Sequence, residues 1–368
     1  MKRRNKLFIM ALITLMLPFT GNAQDGELDL MQLLEESEPP KQEKVTATFK
    51  TTRVINAHSI ETVKAKTIDV RISHRFGNIY STRNVNHGPD SFFGFDNVAD
   101  VRLAVEWGIT DELMVGMGRS QMNNLIDGFV KWRFLTQTSD NKIPISLAFL
   151  GNIGVNPSTR STFYSGVKSY LWDGIYAYVQ NPDNPSDPND TVRVQTAPPV
   201  YGSSKLFFHR LSYTAQLIIA RKFSPSISIE LLPTYIHRNF VGNQDGENSL
   251  LAMGLAGRFK VAKRVAIIAD YFFVFTPSFF KLVHEGEYKY DMLGPNKFHM
   301  PISIGVEVET GGHVFHIDIS NAKGIVSNNF LTESPDSWQY AEIKLGFNIS
   351  RVFNVGKRLK KAKEVTEG

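Results

Sequence analysis

Cysteine is absent from the 368 residues of the chain. Its absence excludes disulfide bonds, thiolate metal ligands, cysteine nucleophiles and a lipidated N-terminal cysteine. The chain also lacks a long apolar run beyond its N-terminus, because no later stretch approaches the roughly 18 apolar residues that a membrane-spanning helix needs. A protein that crosses a membrane by a bundle of helices is therefore excluded.

The chain also lacks a large excess of charge of either sign. Lys and Arg total 41 against 36 Asp and Glu, but four of the basic residues lie within positions 1–23, which contain no acid. Without that stretch the chain carries 37 basic and 36 acidic side chains. A nearly neutral chain lacks the excess of Lys and Arg that binds a phosphate backbone, so we expect no nucleic-acid partner.

The first 23 residues have the order of a secretory signal peptide. Met1–Lys6 is basic, Leu7–Phe19 is apolar, and Gly21-Asn22-Ala23 supplies small residues before a cleavage point. The apolar run is too short to span about 30 Å of hydrocarbon as a helix, which makes a membrane anchor the weaker alternative. We therefore expect cleavage near Ala23 and export of the mature chain.

Residues 24–66 are expected to form a periplasmic N-terminal segment in two parts. Positions 24–44 are acidic and contain Pro39-Pro40, which is typical of a solvated tether. Positions 45–66 mix β-branched and basic residues. This second part is either a strand or a plug that packs under or into the rest of the chain, and the sequence leaves both alternatives open.

From Thr67 onward the hydrophobic pattern has a period of two residues, which is typical of β-strands. In 67–76, for example, Val70 and Ile72 share one face, whereas Asp69 and Arg71 share the other. The same alternation predicts twelve strands, over 67–76, 98–107, 113–119, 128–135, 143–155, 206–220, 227–236, 250–259, 265–275, 300–309, 313–319 and 338–353.

The connections between these strands alternate between long and short. Their lengths in chain order are 21, 5, 8, 7, 50, 6, 13, 5, 24, 3 and 18 residues, so that every odd connection is longer than both neighbours. Short turns at one end and long loops at the other are the organisation of a membrane barrel, whereas a soluble sandwich has no reason to separate them. We predict an all-β fold, a transmembrane antiparallel up-and-down barrel of about twelve strands over residues 67–353.

The last predicted strand ends in Phe353 and resembles the signal that barrel-assembly machinery recognises in bacterial outer-membrane proteins. The match is imperfect, because Arg351 interrupts the apolar face and a basic stretch, residues 354–368, lies beyond Phe353. We expect this stretch to be a solvated periplasmic tail. The expected location is the outer membrane of a Gram-negative bacterium, with outer-membrane lipid and the assembly machinery as partners.

Four stretches of the sequence carry a resemblance to one protein family. They are Phe49-Lys-Thr-Thr-Arg-Val-Ile-Asn56, Arg71-Ile-Ser-His-Arg-Phe-Gly77, Glu106-Trp-Gly-Ile-Thr-Asp111 and Gly128-Phe-Val-Lys-Trp-Arg-Phe134. Over about residues 46 to 353 the chain resembles an uncharacterised family of outer-membrane β-barrels from Bacteroidetes-type bacteria, a domain-of-unknown-function family. The resemblance implies the fold and the membrane, and it transfers neither a substrate nor functional residues.

Alternation also assigns side chains to the lumen. The inward positions carry seven basic and eight acidic side chains, which predicts either a salt-bridged interior or a path whose arginines guide a solute bearing carboxylate or phosphate. Candidate lumen-lining residues are Arg71, Arg75, Arg102, Lys131, Arg133, Asp270, Glu307, His316 and Asp318. The longest connection, 156–205, is rich in aromatics, and its candidate contacts for an external ligand such as a sugar are Tyr170, Trp172, Tyr176 and Tyr178.

These observations predict a narrow channel or binding protein for a small polar solute. The alternative is a closed barrel that serves as scaffold or surface receptor for a partner protein. An outer-membrane lipolytic enzyme comes third, because Ser320 lies about 13 Å along one strand from His316, too far for proton transfer. We expect no enzymatic activity, and the sequence offers no catalytic residue, metal site or cofactor site.

Overall fold

The computed structural model of the chain describes residues 43–82, 88–158, 207–240, 248–275 and 298–355, together with the backbone of 175–180 and 191–197. The predicted signal peptide, the acidic tether up to residue 42 and the basic tail from residue 356 lie outside the described residues. No helix within the described ranges is long and apolar enough to cross a membrane.

The described chain is almost entirely β-structure. Its strands, numbered in chain order, are β1 (Thr67–Asn78), β2 (Val98–Gly108), β3 (Leu113–Ser120), β4 (Ile126–Leu135), β5 (Ser146–Val155), β6 (Ile175–Gln180), β7 (Thr191–Ala197), β8 (Leu211–Lys222), β9 (Ile227–Arg238), β10 (Ser249–Ala262), β11 (Val265–Phe275), β12 (Ile302–Thr310), β13 (His313–Ser320) and β14 (Lys344–Asn354). One short helix, α1 (Ser327–Phe330), lies between β13 and β14.

Twelve of these strands close into a barrel. Each barrel strand pairs antiparallel with the strands before and after it, and β1 pairs with β14 from Thr67↔Asn354 to Asn78↔Lys344. Strands β6 and β7 form a separate hairpin within the longest connection. The predicted closed, twelve-stranded antiparallel barrel is confirmed.

The alternation of side chains explains why the sheet closes. Outward positions of β1 and β2 carry large apolar side chains such as Ile72, Leu103 and Val105, whereas the inward positions between them carry charged ones such as Arg71 and Arg102. An apolar outer face suits lipid, and a sheet edge exposed to lipid would leave backbone groups unpaired at several kcal/mol each. Closure pairs every strand on both sides.

Three predicted strand starts lie three or more residues away from the start in the structure, and the other differences are of one or two residues. Strand β5 begins at Ser146 rather than at 143, β8 begins at Leu211 rather than at 206, and β14 begins at Lys344 rather than at 338. Before β14 the chain instead makes a 3-10 turn over Trp338–Tyr340, and Ala341 takes a left-handed φ of 57°. The aromatic residues there have β propensity, but their backbone is used to turn the chain.

The barrel has a turn end, which holds the short connections, and a loop end, which holds the long ones. The prediction that every odd connection is longer than both neighbours is wrong at one place. The β3–β4 connection at the loop end spans only 121–125, five residues, while the β4–β5 connection at the turn end spans 136–145, ten residues. The longer turn forms backbone hydrogen bonds with residues 43–45: Val45 N donates to Gln137 O, and Ser139 N donates to Glu43 O.

Two parts of the chain fill the barrel. Residues 43–66, here called the lumen segment, enter beside the β4–β5 turn and leave beside Gly108 at the end of β2, so both of their ends lie at the turn end. Residues 321–343, here called the lumen loop, join β13 to β14 and fold inward from the loop end. Between them they leave the interior packed with buried side chains.

Candidate functional site in the barrel lumen

The part of the lumen segment that reaches furthest into the barrel is a short hairpin. Ser59 N donates to Thr52 O at 3.0 Å, and Val54 N donates to Ala57 O at 2.9 Å. Between these two hydrogen bonds, the backbones of Arg53 and His58 form an antiparallel β-bridge. The tip of the hairpin is therefore Ile55-Asn56, and the residues of the tip are almost completely buried. A hairpin of this size has few contacts of its own, so its position depends on the groups that the barrel wall presents.

One wall holds the hairpin by its carbonyl groups. Lys131 of β4 has no exposed surface, and its Nζ donates to the carbonyl oxygens of Thr52 at 3.2 Å, Ser59 at 2.9 Å and Glu61 at 2.6 Å. A lysine ammonium has three N–H donors, and all three are used on the backbone of the lumen segment. Lys131 thus joins both arms of the hairpin to β4.

The opposite wall holds the same hairpin by its N–H groups. Asp270 of β11 accepts from Asn56 N at 2.6 Å and Ala57 N at 2.9 Å, and Asn56 Nδ2 lies 3.4 Å from its other carboxylate oxygen. Glu230 of β9 accepts from Ile60 N at 3.1 Å. Charge-assisted hydrogen bonds of this kind are about twice as strong as neutral ones.

A fourth charged wall residue meets the side chains of the hairpin. Glu106 of β2 accepts a hydrogen bond from Thr52 Oγ1, and its other oxygen lies 4.0 Å from Arg53 Nε. Glu106, Lys131, Glu230 and Asp270 are here called the seat. Among the described residues, none of the four has an oppositely charged partner within 4.0 Å on the barrel wall, so their close partners come from the lumen segment.

Several other buried charges of the wall are paired with one another. Arg71 lies 3.2 Å from Asp69, Arg75 lies 3.3 Å from Asp318, and Arg102 makes two hydrogen bonds to Asp127 at 3.1 and 2.7 Å. Glu307 accepts from Arg258 at 2.8 Å and lies 3.2 Å from His316 Nε2. Arg133 is paired with Glu61 of the lumen segment at 3.4 Å, near the turn end.

These pairs change the interpretation of the arginines as guides for an anionic solute. Each of Arg71, Arg75, Arg102 and Arg133 has a carboxylate partner within 3.4 Å, which offsets its charge locally. All nine candidate lumen residues lie on the inward face of the barrel. The sequence prediction missed Asp127, which lies just before the predicted start of its strand and would have emerged from extending the alternation back from Lys131.

The lumen loop is held by a different set of side chains. Asp100 accepts from Ile325 N at 3.0 Å, and Arg75 donates to Ala322 O at 3.2 Å and Gly324 O at 3.1 Å. Lys344 donates to Asn321 O at 3.3 Å and to Asp336. The lumen segment and the lumen loop are thus anchored independently by polar side chains.

Half of the interior is apolar, a feature that was not predicted from the sequence. The inward faces of β5 and β8–β11 form one core with apolar residues of the lumen segment and of the lumen loop. Its buried members are Phe49, Val54, Ile55, Ala57, Ile60, Ala148, Ile218, Ala220, Leu232, Ile236, Ala252, Ala256, Ile268, Phe272, Val274, Ala322, Phe330 and Leu331. The signal was present, since runs such as Leu250–Ala256 are apolar on both faces, as in strands buried on both sides.

At the turn end, the β4–β5 turn receives the start of the lumen segment. The backbones of Thr138 and Lys44 form an antiparallel β-bridge. Within the turn, Asp140 Oδ1 accepts hydrogen bonds from Thr138 Oγ1 at 2.5 Å and from Lys142 N at 3.1 Å. The hydrogen bond from Thr138 holds the pKa of the Asp140 carboxyl below its usual value. The ionised carboxylate fixes the turn that the lumen segment passes.

The other predicted sites have separate outcomes. Tyr170 and Trp172 lie outside the described residues, and Tyr176 and Tyr178 lie in β6, of which only the backbone is described. Ser320 shares a hydrogen bond of 2.8 Å with Ser303, whereas His316 is engaged with Glu307. Ser320 and His316 therefore do not form a nucleophile–base pair.

Among solved structures, the chain is similar to several bacterial channels of low sequence identity. The KdgM porin is 8% identical, with 78% of this chain and 99% of that chain covered and a TM-score of 0.37. An outer membrane channel from Pseudomonas putida F1 is 9% identical, with 80% and 98% covered and a TM-score of 0.37. The CymD monoaromatic hydrocarbon channel is 8% identical, with 79% and 89% covered and a TM-score of 0.32.

No curated protein matches the sequence. One protein family does, and its description is membrane bound beta barrel domain (DUF5777). The match runs over residues 49–353, which include all twelve barrel strands, apart from the final residue of β14, and most of the lumen segment. The chain belongs to this family of membrane-bound β-barrel domains.

Proposed function

We propose that the protein is a gated outer-membrane channel, which passes a small polar solute when the lumen segment withdraws from the barrel. The observation that carries this proposal is the seat: four buried charges of the wall whose close partners belong to the lumen segment. A chain that folds permanently into a barrel needs no such charges, because apolar filling of the same volume is often equally stable or more stable.

The interior of the barrel contains both apolar filling and the charged seat, so the two can be compared in one molecule. Its apolar half shows that this barrel can be filled by aliphatic and aromatic side chains, yet the hairpin is held by Lys131, Glu230 and Asp270. Withdrawal of the hairpin would let water hydrate these charges, which offsets part of the hydrogen bonding that is lost. A charged seat therefore makes docking of the hairpin reversible at lower cost than an apolar seat would.

The connectivity favours the lumen segment as the moving part. The segment is joined covalently to the barrel at Thr67 alone, whereas the lumen loop is joined at both ends, to Ser320 and Lys344. Because the segment enters and leaves at the turn end, it can withdraw in that direction without breaking a strand pair of the barrel. In an outer-membrane barrel the short turns lie on the periplasmic side, so the gate opens toward the periplasm.

Export and location belong to the same proposal. The N-terminal order of basic, apolar and small residues is that of a cleaved signal peptide, and a membrane barrel that is exported by such a signal resides in the outer membrane.

A closed barrel that acts as scaffold is the second candidate, and one observation favours it. Phe49, Val54, Ile55 and Ile60 of the lumen segment share the apolar core with Phe330 of the lumen loop. Exposing such side chains to water costs about 1.5–3 kcal/mol each, which opposes withdrawal. The protein is a channel if hydration of the seat charges and of the open lumen offsets this cost, and it is a closed scaffold if the cost prevails.

The test is single-channel recording of two matched variants of the full chain in planar bilayers. Lys131→Met removes the ammonium that holds the lumen segment, and Lys344→Met removes one that holds the lumen loop. A hydrogen bond to a charged group contributes about 1.5–3 kcal/mol, so we expect Lys131→Met to raise the open fraction about tenfold or more. Lys344→Met should leave it unchanged. Openings caused by Lys344→Met alone would identify the lumen loop as the gate, and silence of both folded variants would favour the scaffold.

A further inference from the structure

We propose that the seat is a binding site for a peptide-like solute, meaning a small zwitterion or short peptide that carries N–H donors at one end and carbonyl or carboxylate oxygens at the other. This inference rests on the proposed function, because the seat becomes free only when the lumen segment withdraws. It names the class of solute that the channel takes.

The seat binds peptide backbone. Lys131 contacts three carbonyl oxygens of the lumen segment, and Asp270 and Glu230 together accept from three backbone N–H groups. These are groups that every peptide presents, whatever its side chains. A site that holds one peptide by its backbone has the chemistry to hold another.

The seat also has a polarity. Lys131 lies on β4, whereas Glu230 lies on β9 and Asp270 on β11, so Lys131 and these two carboxylates come from different parts of the wall. The fourth seat residue, Glu106, lies on β2, next to the strand that carries Arg71. A free zwitterion would therefore be oriented, with its carboxylate toward β4 and its ammonium toward β9 and β11.

Two carboxylates of the seat have unused acceptor capacity. Glu230 and Glu106 are completely buried, and one carboxylate oxygen of each, Oε1, has no hydrogen-bond partner. The lumen segment offers Glu230 a single neutral N–H. An ammonium group offers three N–H donors and a positive charge, so an amine would satisfy this carboxylate better than the segment does.

The arrangement at Asp270 favours the same class of solute. Its two carboxylate oxygens face three N–H donors of the hairpin tip, two from Asn56 and one from Ala57. Ammonium and guanidinium groups present several such donors with a charge that matches the carboxylate. A neutral sugar brings hydroxyl groups but no charge, so it matches the carboxylate less well.

The experiment uses the full chain and the absence of native cysteine. Ala57→Cys places a single thiol at the buried hairpin tip, where it can react only when the lumen segment has withdrawn. A maleimide coupled to a bulky polyethylene glycol then prevents the hairpin from returning. Mass spectrometry measures the extent of modification, and isothermal titration calorimetry measures binding of triglycine, with maltotriose as an uncharged control solute.

We expect triglycine to bind the modified protein, maltotriose not to bind, and the unmodified protein to bind triglycine more weakly. Added to Ala57→Cys, Asp270→Asn or Lys131→Met should each raise the dissociation constant for triglycine about tenfold or more, and Lys344→Met should leave it unchanged. Equal binding of maltotriose, or an unaltered constant in Asp270→Asn, would overturn the inference.

Conductance of the same modified sample separates this inference from the proposed function. A conducting barrel that does not bind triglycine overturns the peptide-like solute and leaves the channel standing. A silent barrel that binds triglycine overturns the channel and leaves the seat standing. If the introduced thiol never reacts in folded protein, both are overturned, because the lumen segment then does not withdraw.

Discussion

The buried charges inside the barrel have two kinds of partner. Pairs such as Arg102 with Asp127 lie entirely on the wall, and they cross-link strands of the barrel whether or not the lumen is filled. Lys131 and Asp270, in contrast, are completed by the backbone of the lumen segment. The wall–wall pairs therefore stabilise the barrel itself, and the seat residues hold the lumen segment inside it.

A single glycine allows the lumen segment to pass the rim. Ala65 bridges Gly108 at the end of β2, and a Cβ at Gly108 would lie 2.0 Å from Lys64 O and 2.4 Å from Val63 O. Backbone atoms cannot rotate away from such a clash. We expect Gly108→Ala to destabilise the folded protein by about 1–3 kcal/mol, measured as a lower urea midpoint.

The control for this prediction is Gly311→Ala in the β12–β13 turn, where a Cβ would meet nothing within 4 Å. It should leave the midpoint within experimental error. Equal midpoints for the two alanine variants would show that the lumen segment does not pass beside Gly108.

At the scale of elements, most of the strands and their inward faces could be predicted from the sequence because they depend on local alternation. The path of residues 45–66 could not, because its contacts are distant in sequence: Asn56 N donates to Asp270, 214 residues away. The same holds for the apolar half of the lumen, where strands such as β10 are apolar on both faces and alternation gives no inward direction. A period-two pattern shows which residues share one face of a strand, but it does not show which part of the chain packs against that face.

The entrance of the lumen segment can be tested by cross-linking. Lys44 and Thr138 form an antiparallel bridge, and the Cα atoms of such pairs lie about 4.5–5.5 Å apart, within the range of a disulfide. Lys44→Cys with Thr138→Cys should therefore form an intramolecular disulfide on mild oxidation, detected as a change in gel mobility that a reductant reverses.

The matched pair is Lys44→Cys with Gly311→Cys. The β12–β13 turn lies at the same end of the barrel but far from the β4–β5 turn in the strand order. This pair should remain reduced. Cross-linking of both pairs to the same extent would mean that residue 44 has no fixed position at the rim.

At the scale of the molecule, the membrane requires an apolar outer belt. Leu103 lies at the middle of β2, points outward and is 58% exposed, whereas Ile109 lies in the β2–β3 turn at the rim. An arginine at the bilayer midplane costs about 2–4 kcal/mol, and one near the interface costs about 0–1 kcal/mol. We expect Leu103→Arg to lower the free energy of unfolding in lipid vesicles by the larger amount and Ile109→Arg by the smaller.

The two arginine variants also locate the membrane along the barrel. A comparable loss of stability in both would place the turn end inside the hydrocarbon. No loss in Leu103→Arg would contradict a membrane belt around the middle of the strands.

The central claim is that the barrel is closed by its own lumen segment and conducts when that segment leaves. The most direct measurement is the single-channel conductance of Ala57→Cys before and after a bulky maleimide is added, with the cysteine-free natural chain as control. We predict brief openings that become permanent as the introduced thiol is modified, and no effect of the reagent on the natural chain. A barrel that stays silent when that thiol is fully modified would contradict the claim.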